Sequence, residues 1–482
     1  MNDAPSPTDA APAPWPMPPL PADLVMRRIP YDPASPLLAP YTDEARAFSA
    51  GRDTPRAFLE RRLDVIATAE PSVRAFVLVD EAGARRAADA ATARWKAGRP
   101  LGPVDGMPVA IKDMIETRDL PTAMNSPIYA GWSSRRDAAA VWALRQAGAV
   151  ILGKTVTTEF AVSNSGPTRN PYDSGRTPGG SSSGSAAAVG AGMASLALGT
   201  QTQASTIRPA GYCGAWAIKP SIDSLHTGGV TPLAPTQDHL GVFGASLGDV
   251  WAGARAIARH VGGTPPHPGL AGPDTVPPPS RPRALARLDM QGWTETDAES
   301  RAAFDAACRR IEAAGVPVAD RRTHPGIAEL ETLLADANDY SYDILAWETR
   351  WPLMSYLDHG PGMVGKRIHD LMSHAAGMAA AAYVRALERR AALRHAVEAL
   401  AGEFDGFLAL CSSGPAIPGH DFTGSRSYAL PWTMVAAPAI AMPLLMAANL
   451  PLGLQLCGFR DRDAALCAVA GWIRDTLQGH AP

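Results

Sequence analysis

Along this chain, hydrophobic positions on a helical period repeatedly give way to short apolar runs, a change that predicts alternating helices and buried strands. Between Arg136 and Lys154, Asp137 is placed to cap a helix running through Gln146. Gly148 is placed to end it, and residues 149–152 form an apolar strand. The same order returns after the Pro/Gly-rich stretch 263–282: Thr296 and Glu299 fit a capping box, a helix ends near Gly315, and Pro317-Val318-Ala319 follows as a strand. A third unit spans 383–400, where Val384, Leu387, Ala391, Val397 and Leu400 lie on an approximately helical stripe, and leads through Gly402 into the apolar run 407–410. Three such units predict an α/β fold whose sheet is covered by helices on both faces.

The longest apolar run, 434–448, is short for a bilayer span and is broken by Pro438 and Pro443, so buried core is expected there. The first forty residues hold twelve prolines and no basic region leading into an apolar stretch. They read as an extended arm, 1–40, ahead of one large domain, 41–482, and not as a secretory signal. The stretch 263–282 is expected to cross the surface within that domain. No internal repeat is evident.

Composition then narrows the partner. A formal net charge of -3 with 19% charged residues leaves no basic stripe for nucleic acid and no excess for an anionic membrane surface. A small ligand is the expected partner. Cys213, Cys308, Cys411, Cys457 and Cys467 are odd in number and lack CxxC spacing, which predicts neither a disulfide framework nor a zinc site and favours a reducing cytoplasm.

The chemistry concentrates in Thr177-Pro-Gly-Gly-Ser-Ser-Ser-Gly-Ser-Ala-Ala-Ala-Val189, a glycine- and serine-dense turn opening a helix of very small side chains. A flexible linker rarely runs straight into such a helix and then into the strand Leu196-Ala-Leu198. A phosphate loop would close on Gly-Lys-Ser/Thr, which is missing. Gly180-Ser-Ser-Ser-Gly184 also satisfies GxSxG, with Ser182 as nucleophile, but proline and turn residues stand upstream where that elbow requires a buried strand.

These residues resemble the amidase signature family. Its hallmark turns read here as Gly179-Gly-Ser-Ser-Ser-Gly-Ser185 and Gly199-Thr-Gln-Thr-Gln-Ala-Ser205, with Ser181 and Ser205 keeping the family's spacing. The resemblance extends through Gly106-Met-Pro-Val-Ala-Ile-Lys-Asp113, Gly153-Lys-Thr155, Arg208-Pro-Ala210, Lys219-Pro220 and Pro451-Leu-Gly-Leu-Gln455. It implies a single large fold with a mixed central sheet and a Ser–Ser–Lys triad. By that resemblance Ser205 is the nucleophile, Ser181 relays the proton from a cis peptide, and Lys112 is the base.

The physical demands of such a triad agree with the sequence around it. A serine hydroxyl needs a base, and lysine serves only when neutral, which the apolar run Pro108-Val-Ala-Ile111 favours by burying Lys112. Without the serine turns, a solvated lysine at a strand end would be the better reading. The resemblance also assigns the oxyanion to backbone N–H groups of Thr202, Gln203, Ala204 and Ser205, and a substrate contact to the backbone near Ala161. This chain departs from the family pattern: Gln203-Ala204 replace two glycines, Gln201 replaces an acid, and Arg208 follows the nucleophile by three residues instead of two. Tyr129, Trp132 and Trp432 are candidates for an aromatic pocket, although core is the commoner fate of such side chains. Residues 339–362, rich in Tyr, Trp and Met, either cover the site or belong to the core.

The resemblance implies hydrolysis of a C–N acyl bond in a small-molecule amide, aryl amide, carbamate (a urethane) or urea through a seryl acyl-enzyme. The expected partners are that substrate and at most a second copy of the chain as a homodimer, with no nucleic acid and no membrane. Neither metal nor cofactor is expected. Two alternatives stand beside it: the amidase subunit of a tRNA-dependent amidotransferase, and a non-catalytic binding protein that keeps the fold.

Overall fold

The computed structural model describes residues 26–479; residues 1–25, most of the expected arm, lie outside the described residues. Eleven strands form one sheet: β1 (Phe76–Val79), β2 (Pro108–Lys112), β3 (Val150–Thr155), β4 (Leu196–Gln201), β5 (Trp216–Lys219), β6 (His239–Gly244), β7 (Leu285–Arg287), β8 (Val318–Ala319), β9 (Phe407–Leu410), β10 (Ala439–Ala447) and β11 (Leu450–Cys457). Their spatial order is β1-β3-β2-β4-β6-β5-β10-β11-β9-β7-β8. The sheet is mixed. β2 runs parallel to both β3 and β4, and β7 to both β8 and β9, while the pairs from β4 through β11 to β9 are antiparallel.

Every residue of β2 through β6 is buried, so the sheet centre is covered on both faces, as continuous apolar strands require. The helix Ser183–Gly190 packs against β2, β3 and β4, and the helix Leu247–Val261 against β4, β5 and β6. The first approaches closely because its side chains are small. A Cβ at Gly184 would overlap the Ala75 carbonyl, and one at Gly190 would overlap the Cys213 carbonyl. The apolar run 434–448 supplies β10, and Pro443 sits where the β10–β11 register shifts between Met442 and Leu445, a bulge that accommodates the missing N–H.

Two predicted caps are corrected. The helix Ala139–Gln146 starts without a side-chain cap; Asp137 instead accepts from the Arg118 N–H at 3.0 Å and pairs with Arg145 at 3.2 Å. The helix Ala298–Ala313 is capped by Asp297, which accepts from Ser300 N–H at 2.8 Å. Thr296 is turned away to bond Tyr428, and Glu299 receives the Ala448 N–H. Thr296 is drawn off by a distant partner and its neighbour Asp297 takes over the cap, whereas Asp137 is held by Arg118 and by Arg145 of the helix itself. The stretch 263–282 connects the helix Leu247–Val261 to β7 of the same sheet. Residues 26–40 carry no helix and turn at 32–35, where the Ser35 N–H donates to the Asp32 carbonyl; Ile29 donates to the Tyr172 carbonyl and Tyr31 to that of Asn449.

Candidate active site

The parallel trio β3-β2-β4 ends its strands on one edge, and Lys112, last in β2, and Thr200, near the end of β4, meet there. The carboxyl ends of parallel strands are where open α/β sheets place ligands. Lys112 Nζ is fully buried and donates to Ser181 Oγ at 2.8 Å and to Thr200 Oγ1 at 2.7 Å. Burial holds its pKa well below the ordinary lysine value, opposed only by the negative charge of Asp238. Lys154 and Lys219 are buried as deeply, yet both serve structure: Lys154 bonds Thr122, Asp113 and the Ile115 carbonyl, and Lys219 the Pro220 and Ala437 carbonyls.

The serines of the turn divide by partner. Ser182 is fully buried and exchanges bonds with the backbone of Thr200, accepting its N–H and donating to its carbonyl at 3.2 Å each. Ser183 donates to the Val156 carbonyl and Ser185 to that of Leu198. Ser181 alone among them reaches Lys112 and lines the cavity. The Gly180–Ser181 peptide is cis, and the Gly180 carbonyl accepts from Arg208 Nη2 at 2.6 Å. Arg208 spends both terminal nitrogens on backbone and hydroxyl acceptors, since it also donates to the Gly424 carbonyl and Thr423 Oγ1, while its buried Nε has no partner among the described residues.

A cavity of about 480 Å³ opens beside the lysine, and Ser181, Ser205, Ala161 and the turn Thr202-Gln203-Ala204 all line it. Among the described residues, the N–H groups of Thr202, Gln203, Ala204 and Ser205 have no hydrogen-bond partner. The next two, of Thr206 and Ile207, donate to Gln201 Oε1 at 2.9 and 3.0 Å. Gln201 thus does with a neutral amide what an acid does at a helix start. Neither Gln203 nor Ala204 takes a positive φ, so the missing glycines leave no strained backbone here. Ala161 does take one, at 62°, on the cavity wall.

The aromatic candidates do not line this cavity. Trp432 is wholly buried core against Phe407, with its indole N–H on the Gly458 carbonyl. Tyr129 and Trp132 cluster instead with Phe160 and Tyr356, behind the Ala161 wall. Of residues 339–362, only Tyr342 and Leu345 reach the cavity; Tyr340 and Ile344 are core, and Trp351 is 76% exposed. Thr200, Arg367 and Arg426 were not singled out from the sequence. Thr200 lay inside the Gly199–Ser205 motif, whereas the two arginines stand in segments without any motif.

The family profile Amidase matches residues 57–467. Curated relatives include chains named as a subunit of glutamyl-tRNA(Gln) amidotransferase. The one from Anaeromyxobacter dehalogenans is 32% identical over 454 residues, covering 86% of this chain and 91% of the relative. Its namesake from Acidothermus cellulolyticus is 43% identical over 224 residues, 45% of this chain and 44% of that one, so this match spans less than half of the relative. Among solved structures, peptide amidase from Stenotrophomonas maltophilia superposes with a TM-score of 0.73 at 25% identity, covering 91% of this chain and 96% of that one. A chain from a vestigial protein complex tied to the origins of an s-triazine catabolic enzyme gives 0.78 at 26%, covering 90% and 98%.

The mixed α/β sheet, the family match and the amidase and amidotransferase relatives together mark an enzyme that acts on C–N bonds. This chain belongs to the amidase family. The relatives correct one expectation, that of a chain whose partners are only a small-molecule amide or carbamate and a second copy of itself, without nucleic acid. By name they are components of a larger enzyme, and that enzyme is named for glutamyl-tRNA(Gln).

Proposed function

We propose that this chain cleaves an amide C–N bond through a seryl acyl-enzyme, and does so as the amidase component of a protein assembly. The observation that carries the chemistry is the fully buried Lys112 amine, 2.8 Å from Ser181 Oγ at the edge of the cavity that Ser205 also lines. Burial favours the neutral amine, whose lone pair is the base. As Ser205 Oγ attacks the carbonyl carbon, its proton passes to Ser181 and the Ser181 proton to Lys112 Nζ. The carbonyl oxygen becomes an oxyanion facing the unpartnered N–H groups of residues 202–205. The relay then runs backwards: Ser181 protonates the leaving nitrogen, the C–N bond breaks, and an acyl ester remains on Ser205. Water, activated by the same pair, releases the acid.

The assembly reading rests on the relatives named as a component of glutamyl-tRNA(Gln) amidotransferase, aligned over 91% of the Anaeromyxobacter dehalogenans chain. In such an assembly the released ammonia is consumed by a partner protein and not lost to water. The test is a pull-down of the tagged chain at native expression level, followed by amine-release assays on a panel of primary amides, anilides, carbamates and ureas, with and without the captured partner. Partner-stimulated release from a primary amide supports the reading. Full turnover by the purified chain alone, with no stoichiometric partner recovered, overturns the assembly half. No release from any substrate in either state overturns the chemistry.

A further inference from the structure

The cavity carries an imbalance of charge that the triad does not use. Three arginines line it: Arg208, Arg367 and Arg426. Arg208 has both terminal nitrogens committed to the two turns it ties together, which leaves neither free for a ligand. Arg367 and Arg426 are in no ion pair among the described residues, and the one carboxylate on the wall, Asp370, is held by Lys366 at 2.7 Å. The cavity therefore presents uncompensated positive charge beside the nucleophile turn.

Arg426 is also aimed. Its Nη1 donates to Gln203 Oε1 at 2.6 Å, and its guanidinium lies 5.8 Å from the centre of the Tyr342 ring. Gln203 in turn is anchored at both ends: its carbonyl accepts from Thr433 Oγ1 at 2.8 Å, and its Nε2 reaches Ser341 Oγ at 3.4 Å. Gln203 stands two residues before Ser205, so the guanidinium is fixed relative to the attacking oxygen. An accepting amide leaves the guanidinium charge intact, where a carboxylate at the same place would cancel it. A planar, half-buried guanidinium with donors to spare takes carboxylate best, in two parallel bonds.

We infer that Arg426, oriented by Gln203, is a specificity-determining cation that selects amide substrates carrying a carboxylate near the scissile bond. The inference rests on the amide-cleaving reading above. Gln203 is a positioning residue, and its replacement of glycine in the turn is what places a donor-aimed cation there.

The test uses two substrate pairs matched except for charge. Succinyl 4-nitroanilide against butyryl 4-nitroanilide puts the carboxylate on the acyl side, and 4-butyramidobenzoate against butyranilide puts it on the amine side. The expected result is at least a tenfold higher kcat/KM for the anionic member of one pair. Arg426→Gln should lower that ratio tenfold or more, mainly through KM, and Arg426→Lys should restore part of it. The decisive variant is Gln203→Glu, which keeps the shape and the contact to Arg426 but neutralises the cation. It should abolish the preference, whereas a latch serving only to hold the walls would be kept or strengthened. Release from both members of each pair without preference, or a preference that survives Gln203→Glu, overturns the inference while leaving amide cleavage standing. No release from any of the four, by a chain that releases amine from another member of the panel above, overturns the inference alone; no release from either set, with or without partner, overturns the amide-cleaving reading and the inference with it.

Discussion

The side-chain nitrogen of Gln201 donates to Thr433 Oγ1 at 2.9 Å, and that hydroxyl donates onward to the Gln203 carbonyl at 2.8 Å. One threonine from the helix Leu430–Val435 thereby ties the residue before the turn that carries the free N–H groups to one within it. Thr433→Val removes the link and leaves a buried amide and a carbonyl unpaired, a change worth about 1–3 kcal/mol. The expected outcome is a lower urea midpoint and a kcat reduced about tenfold, both recovered in Thr433→Ser. Unchanged kcat in Thr433→Val would show that the turn holds its shape without it.

Ser205→Ala and Lys112→Met should each lower kcat by at least about 10²–10⁴-fold, the range of acid–base catalysis, with folding intact by circular dichroism. Ser181→Ala should fall in the same range because it severs the bond to Lys112. Near-native turnover in any of the three would falsify the triad.

Ser182→Ala should behave differently. Its hydroxyl serves only the Thr200 backbone, so stability should drop by about 1–2 kcal/mol while kcat stays within a few-fold of the parent. The opposite pattern, lost turnover with unchanged stability, is what the GxSxG elbow requires.

Only neutral Lys112 acts as base, so kcat/KM should rise with pH and level off above the lysine's folded pKa. Burial lowers that value, which puts the acid limb well below the ordinary lysine range. A limb at or above about pH 10.4 would contradict the burial. The same shift has a stability consequence. The unfolded chain, with its lysine near about 10.4, binds this proton more readily than the folded one, so Lys112 costs progressively more stability as pH falls below that value. Lys112→Met should therefore gain on the parent in urea midpoint between about pH 10 and about pH 7, while Lys219, common to both, cancels.

Gly184→Val should leave no soluble protein or a strongly destabilised one, because its side chain would enter the Ala75 carbonyl and the Val156 N–H. Soluble, native-like expression of this variant would show that the helix has room to move.

Much of this protein was legible in one dimension. The apolar runs that became β9, β10 and the core of β4 announce themselves because strands buried on both faces must be continuously hydrophobic. Ser181 and Ser205 stand out because they belong to turns of unusual composition, and Lys112 because it closes an apolar run; both serines line one cavity, and Lys112 bonds Ser181 from behind it. Other features depended on partners distant in the chain. Thr296 fits a local capping rule, but the bond to Tyr428, 132 residues away, won, since a partner in a buried setting outweighs a cap exposed to water. Trp432 and Tyr129 were candidates for either pocket or core by residue type, and tertiary packing put Trp432 in the core and Tyr129 against Tyr356. Above all, the effect of Gln201 and Gln203 was decided by tertiary contacts with Thr433, Ser341 and Arg426, from 138 to 232 residues away. The sequence by itself nominated Lys112, Ser181 and Ser205, because the composition of the segments that hold them is unusual along the chain. Only the tertiary structure decided which charges surround the substrate, because electric fields act through space and not along the backbone.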